Sequence, residues 1–434
     1  MLKHLYRSSI LHFLSDPDIN GHDAYEFFED GALIVVDGKV VDCGAANALM
    51  TAHQDAEIID YQGKLIIPGM IDTHIHFPQC EVIASYGEQL LDWLNNFTFP
   101  AERQFEDKDY ASHIANFFLD ELLKCGTTTA MVFGTVHKQS VDAFFEASQK
   151  RNTRMICGKV MMDRNAPEFL VDTPECAYTD SKELIERWHE KGRQLYAVTP
   201  RFAITSTNEQ LDKAGQLLKQ YPSVYLQTHI SENKDEVAFV QSLFPAAQDY
   251  LDVYDHFGLL GRRSVFAHGI HLQPREHKRL RETGASVSFC PTSNLFLGSG
   301  LLDVATLEKE QVAYSIATDV GGGTSFSMLQ TLNEAYKVCQ LQGQKLSPLK
   351  SLYLATLGNA KTLELDDKIG SFKRGNEADF AVLDFNSTPL MTLKQSRCKT
   401  LDEKLFAMII LGDDRAIAAT YVAGKCAHSK LTSI

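Results

Sequence analysis

The chain has 434 residues, 44% of them hydrophobic, which is enough for a large buried core. Its 42 basic residues against 56 acidic ones leave a net charge of -14, and no dense Lys/Arg run appears, which argues against a nucleic-acid backbone as partner. The opening stretch lacks an uninterrupted apolar core and a small-residue cleavage pattern, and no later apolar run approaches membrane-spanning length, so cytoplasmic residence with no membrane partner is expected. The 9 cysteines stand singly, with no C-x-x-C pair, and read as buried small hydrophobes rather than a disulfide framework or a thiolate metal site.

In chain order, GALIVVDGKVVDCG pairs two β-rich runs about an Asp37-Gly38 turn, a hairpin signal. Strand-like runs then recur at 65–73, 127–133, 155–162, 196–202, 224–230, 264–269, 285–291 and 312–319. Between most of them lie stretches with apolar residues at three-and-four spacing, such as DYASHIANFFLDELLKCG and SMLQTLNEAYKVCQLQG, which read as helices. Ser206 and Glu209 form a capping-box pattern that opens one of these helices. Eight strand and helix units predict an α/β fold, a closed (β/α)8 TIM-type barrel. An open doubly wound sheet would scatter the first and last strands, whereas ligand residues shared between strands one and eight favour closure. Beyond the barrel, GNEADFAVLDF and IAATYVAGKCAH give further strand runs with Gly at the turns. The two ends therefore predict a small β-sandwich domain of residues 1–67 and 370–434, with the barrel of residues 68–369 inserted between them.

Four of the predicted strands end in residues that bind metals or move protons. In GKLIIPGMIDTHIHFPQ, His74 and His76 stand two apart, so an extended strand aims both imidazoles the same way. VYLQTHISEN contributes His229 and Glu232, SVFAHGIHL contributes His268, and VAYSIATDVGGG contributes Asp319. His74, His76, His229 and Asp319 make a predicted set of three imidazoles and one carboxylate, which suits one zinc ion and tolerates ferrous iron. Such a site favours hydrolysis, because the ion lowers the pKa of bound water to about 7 in favourable cases. Glu232, three residues after His229, is the candidate proton shuttle. Asp319 both binds the ion and accepts a proton, and His268 holds the water or polarises an oxyanion. The competing readings are a helix N-terminal acid for Glu232 and a hydrogen-bonded core histidine for His268. His271 and His137 read as structural or surface residues. GGGT at 321–324 lacks the spacing and lysine of a phosphate loop and reads as backbone passing close beside the metal. HKRLRE at 277–282 reads as a solvated helix face, and CPTSN at 290–294 as strand seven entering a loop near the site.

The strings PGMIDTHIHFPQ, THISEN, FAHGIH, CPTSNLFLGSG and ATDVGGGTSFSML resemble the amidohydrolase superfamily over nearly the whole chain. Within it, YGEQLLDWLNNFTFPAER and VTPRFAITS are similar to the guanine deaminase family. The resemblance implies one zinc ion on His74, His76, His229 and Asp319, with Glu232, Asp319 and His268 in proton transfer and water positioning. No position of that pattern is missing. Arg201 and Phe202 stand at the end of strand four, where a two-metal relative would carry a lysine. The resemblance also implies that Phe202 stacks on a purine, Arg201 donates to a ring carbonyl and Gln79 reads an edge. Trp93 is a candidate pocket wall, with plain packing as its alternative. The implied activity is hydrolytic deamination of guanine to xanthine and ammonia in purine catabolism, by a homodimer. The alternatives are a deaminase of another amino-heterocycle (another aminopurine, a cytosine-like pyrimidine or a triazine) and, less favoured, a non-catalytic scaffold, which would be expected to lose ligands.

Overall fold

The computed structural model describes residues 3–87 and 89–430; Glu88, within one of the strings quoted above, and the extreme ends of the 1–67 and 370–434 segments lie outside the described residues. The chain opens with three long strands, β1 (Lys3–Phe13), β2 (Tyr25–Val36) and β3 (Lys39–Ala45), followed by β4 (Glu57–Pro68). The turn between β2 and β3 falls on Asp37 and Gly38, both at positive φ (50 and 77), as the Asp-Gly signal requires. Nine parallel segments follow: β5 (Met70–His76), β6 (Thr127–Phe133), β7 (Arg154–Gly158), β8 (Val160–Met161), β9 (Leu195–Pro200), β10 (Tyr225–Ile230), β11 (Ser264–His268), β12 (Ser286–Phe289) and β13 (Ala313–Ile316). The chain ends with β14 (Phe380–Leu383), β15 (Ile417–Val422) and β16 (Lys425–Ser429).

The terminal strands form one seven-stranded mixed sheet in the order β16-β15-β14-β4-β1-β2-β3. It folds over on itself. At its far edge Val40 N donates to Asn376 O at 2.9 Å and Ala378 N to Gly38 O at 2.9 Å, so β3 returns to the segment that leads into β14. Tyr6, Phe380 and Tyr421 fill the space between the layers, with the rings of Phe380 and Tyr421 stacked at 4.4 Å. This is the sandwich expected from the two chain ends.

The parallel segments run β5-β6-β7-β9-β10-β11-β12-β13, with β8 paired to β9 as a continuation of β7. Helices separate them, including Lys108–Lys124 and Met328–Leu341 from the two stretches singled out above. The first and last strands meet. Asp319 N donates to His74 O at 3.0 Å, His76 N donates to Val320 O at 2.8 Å, and the Asn359 amide donates to both Ile71 O and Ile316 O. Closure, rather than an open sheet, is therefore the arrangement found. The helix Leu401–Leu411, within the C-terminal segment, packs on Met328–Leu341 of the barrel.

Several local expectations are corrected. The apolar run 65–73 is two strands, because Leu65–Pro68 completes β4 in the sandwich and β5 begins at Met70. Gly69 marks the break, where a Cβ would lie 2.2 Å from Thr128 Oγ1. The run 155–162 divides at Lys159. The helix Asn208–Gln220 is capped by Thr207, whose hydroxyl accepts from Gln210 N, one residue later than the Ser206 and Glu209 pattern predicts. CPTSN is not a loop: Cys290 precedes and Pro291 to Asn294 open a short helix, Pro291–Phe296. Of the cysteines, Cys125, Cys157, Cys290 and Cys339 are buried, but Cys176 and Cys426 are exposed, on a helix and on an edge strand. HKRLRE lies in the helix Pro274–Thr283, where Leu280 alone of the six is buried. Among the described residues no helix is long and apolar enough to cross a membrane.

A candidate metal centre at the barrel mouth

The strand grammar brings the predicted residues together at the carboxyl ends of the barrel strands, where (β/α)8 barrels build their sites. His74 and His76 are on β5, His229 on β10, and His268 is the last residue of β11. Asp319 follows β13 by three residues, and Arg201 and Phe202 directly follow β9. Backbone turns at these exits are sharp. His268 (φ 74), Asp319 (φ 51) and Ser231 (φ 49) all adopt left-handed backbone, a conformation costing non-glycine residues about 1–3 kcal/mol each and held here by the surrounding packing. Asp72 ties the first strand to the last, with Oδ1 accepting from Thr318 N at 3.2 Å and Oδ2 from the Thr318 hydroxyl at 2.5 Å. Gly321 and Gly323 allow the loop after Asp319 to close in, since a Cβ on Gly321 would lie 2.6 Å from Gln79 O and one on Gly323 would lie 1.8 Å from Thr318 O.

Four donor atoms converge. His76 Nε2 lies 3.2 Å from His74 Nε2, 3.3 Å from His229 Nε2 and 3.3 Å from Asp319 Oδ1, which is itself 3.2 Å from His74 Nε2. An ion bound tetrahedrally at about 2.0–2.1 Å from each donor requires edges of about 3.3 Å. The four separations match that edge length, and the ligand atoms of His74, His76 and His229 stand together as one candidate metal-binding group. Their protonation fits as well. Burial and the neighbouring imidazoles hold His229 well below its ordinary value, and burial brings His76 down to about 4, so their lone pairs are available. Burial alone would raise Asp319, but His74, His76 and His268 around it outweigh this and keep it an anion. His229 Nδ1 donates to Arg201 O at 2.7 Å, which turns Nε2 toward the cluster.

Glu232 and His268 stand beside the donors. His268 Nε2 is 3.3 Å from Glu232 Oε2 and 3.8 Å from Asp319 Oδ2. The Asn294 amide donates to His268 Nδ1 at 2.9 Å, which leaves the imidazole proton on Nε2, facing the carboxylates. Burial, then the Asp319 and Glu236 carboxylates, push Glu232 well above the usual carboxylate range. The Ser299 hydroxyl donates to its Oε1 at 3.1 Å. The helix N-terminus that competed for Glu232 belongs to other residues. Asn233 caps the helix Lys234–Leu243 and Glu236 completes the capping box.

A small cavity opens over this cluster. His76, His229, Glu232, His268 and Asp319 form its floor, and Gln79, Trp93, Arg201 and Phe202 its walls, while His74 lies beneath the lining. Phe202 meets the His229 ring edge-on at 6.4 Å between centroids, and Trp93 is anchored by its indole N–H to Ser85 O at 3.2 Å. His271 and His137 are outside the lining. His271 hydrogen-bonds to Ser299 O at 3.1 Å, and His137 precedes the helix Lys138–Arg151. Sequence reasoning missed Glu102, Asn294 and Ser299, which hold site residues by side-chain hydrogen bonds, and Leu90, Leu94 and Leu297, which supply apolar wall. It also missed Cys290, whose sulfur sits near ligand atoms of His74, His268 and Asp319. Burial, with nearby carboxylates, drives that thiol well above its ordinary value, so it stays protonated beside the imidazoles.

A model of the amidohydrolase family matches residues 65–427. Guanine deaminase of Escherichia coli (strain K12) is 54% identical over 408 residues, covering 94% of this chain and 93% of that protein. A solved structure of E. coli guanine deaminase matches with a TM-score of 0.95 at 50% identity, covering 99% of this chain and 100% of that one. A guanine deaminase from C. acetobutylicum, solved with guanine bound in its active site, matches with a TM-score of 0.88 at 31% identity, covering 98% of this chain and 99% of that one. The chain therefore belongs to the amidohydrolase family and, within it, to the guanine deaminases.

Proposed function

We propose that the protein removes the exocyclic amine of guanine by hydrolysis, giving xanthine and ammonia. The observation that carries this reading is that three of the four converging donors, the Glu232 carboxyl group and the Arg201 guanidinium all line one small cavity, with His74 directly beneath it. The guanine held by the C. acetobutylicum relative supports the same ring as ligand.

In this reading His74, His76, His229 and Asp319 hold one divalent ion, with zinc preferred by the imidazole-rich set and ferrous iron accommodated. When bound, the ion is a Lewis acid that lowers the pKa of water to about 7. Glu232 takes a proton from the attacking water and delivers it to the ring nitrogen beside the amine-bearing carbon, as the new C–O bond forms. The N–H of His268 faces the developing oxyanion. Asp319 receives the second water proton, which leaves on the amine as the C–N bond breaks and the carbonyl of xanthine forms. Phe202 stacks on the purine, Arg201 donates to its carbonyl oxygen, Gln79 reads an edge and Trp93 closes a wall. The family resemblance extends the reading to a cytoplasmic homodimer serving purine catabolism, and sedimentation of the metal-loaded protein tests that assembly.

The experiment is ammonia release from guanine, alongside adenine, cytosine, guanosine and a triazine, with a chelated control. Release from guanine that chelation abolishes supports the reading. Release only from another ring keeps the metal centre and overturns the substrate. Silence on every ring despite bound metal overturns the deaminase.

A further inference from the structure

Glu102 sits on the short helix Phe99–Arg103, away from the strand ends, and is fully buried. Its carboxylate receives two side chains that line the cavity. Arg201 Nη1 donates to Oε1 at 2.8 Å and to Oε2 at 3.1 Å, and Gln79 Nε2 donates to Oε1 at 3.2 Å. The guanidinium also lies over the Phe99 ring, 5.3 Å from its centroid. Among the described residues, Arg201 makes its side-chain hydrogen bonds through Nη1 alone, so the hydrogens on Nε and Nη2 are left for a ligand. The carbonyl oxygen of Gln79 accepts from Gly321 N at 3.2 Å.

An ionised carboxylate only accepts. Gln79 consequently cannot turn its amide over, because the flip would set its oxygen against Glu102 and its NH2 against the Gly321 N–H. A buried ion pair of this kind adds little net stability over an apolar replacement. Its presence in a pocket wall is better explained by what it orders. We propose that Glu102 is a positioning residue that sets the preference for a purine edge, an inference that rests on the guanine reading above. Glu102 does not touch the ring. It holds the free N–H groups of Arg201 and one orientation of Gln79 toward it, so the wall donates to a 6-oxo oxygen and meets a 6-amino group donor to donor.

The probe is 2,6-diaminopurine, which keeps the 2-amino leaving group of guanine and carries an amine in place of the ring carbonyl. The ratio of kcat/KM for guanine over 2,6-diaminopurine is measured for the unchanged protein, Glu102→Gln and Glu102→Asp, with metal content determined on each. Dissociation constants of both rings are measured in parallel on the same three forms carrying Glu232→Gln. A glutamine at 102 donates as readily as it accepts, which frees Gln79 to turn over. The guanine preference is expected to fall about tenfold or more in Glu102→Gln, chiefly through KM, with Glu102→Asp intermediate and metal content unchanged. A preference within about twofold of the unchanged protein overturns the proposal. If Glu102→Gln does not fold, Glu102→Asp decides alone by the same ratio. A protein that binds both rings and deaminates neither overturns the guanine deaminase reading instead, and the binding ratio still decides the role of Glu102.

Discussion

Glu232 occupies a position where its environment favours the protonated acid, yet a hydroxyl from Ser299 and the imidazole of His268 stand ready to stabilise the anion. A carboxyl balanced in this way can take a proton and return it. Glu232→Gln preserves the shape and removes the transfer, so ammonia release should fall about 10²–10⁴-fold while the ion stays bound, as elemental analysis would read. Substantial residual turnover would exclude the shuttle. Arg201 calls for a paired test, since Arg201→Ala leaves the buried Glu102 without its counter-charge, at a cost of about 3–5 kcal/mol. Arg201→Met combined with Glu102→Leu should instead melt close to the unchanged protein while KM for guanine rises about tenfold or more. An unaltered KM would remove Arg201 from recognition. The ligand residues were legible in sequence because each ends an apolar run with a side chain of distinctive chemistry. Glu102, Asn294 and Ser299 were not, because each gains its role from a partner far away in the chain, and no local pattern distinguishes them from surface polar residues.

At the level of elements, the strand positions were legible and some boundaries were not. Residues 65–73 form one unbroken apolar run because both sheets bury that stretch, and periodicity cannot mark the transfer from one sheet to the other. The two sheets are joined elsewhere by charge. Arg154 at the start of β7 donates from Nε to Glu377 Oε2 at 2.9 Å, and Arg193 ahead of β9 donates from Nη2 to the same oxygen at 2.6 Å and also pairs with Asp379. Burial would raise Glu377, but Arg154 and Arg193 prevail and hold it down at about 2, against 4.5 for the free side chain. A depressed folded-state value stabilises the protein above the unfolded-state value and is lost as pH falls through the folded one. Stability should therefore decline between pH 4.5 and about 2, by roughly 2 kcal/mol from this group after discounting its partial exposure. Acid melts of Glu377→Gln should be flatter over that window, and an identical slope would remove the clamp. At neutral pH the same variant leaves two buried guanidinium groups short of a partner and should lose about 3 kcal/mol in denaturant melts.

Across the whole molecule, closure of the barrel is what makes a single site from residues more than two hundred positions apart. Asp319 and His74 meet only because the last strand returns to the first, and an ion held by both would fasten that seam. Chelation should accordingly lower the melting temperature as well as stop turnover, and added zinc should restore both. The linkage is about 4 kcal/mol at free ion near 1,000 times Kd, and a melt indifferent to chelator would mean the donors hold no ion. The fold class followed from counting strand and helix units, whereas the cavity did not, since its apolar wall comes from Leu90, Leu94 and Leu297, which look like any core leucines in the sequence. Arg201 also links two duties without entangling them. Its carbonyl steadies the His229 ring, while its side chain lines the cavity. Only the second depends on which amino acid stands there. A different side chain at 201 would therefore alter the cavity wall while the carbonyl that orients His229 is inherited unchanged from the backbone.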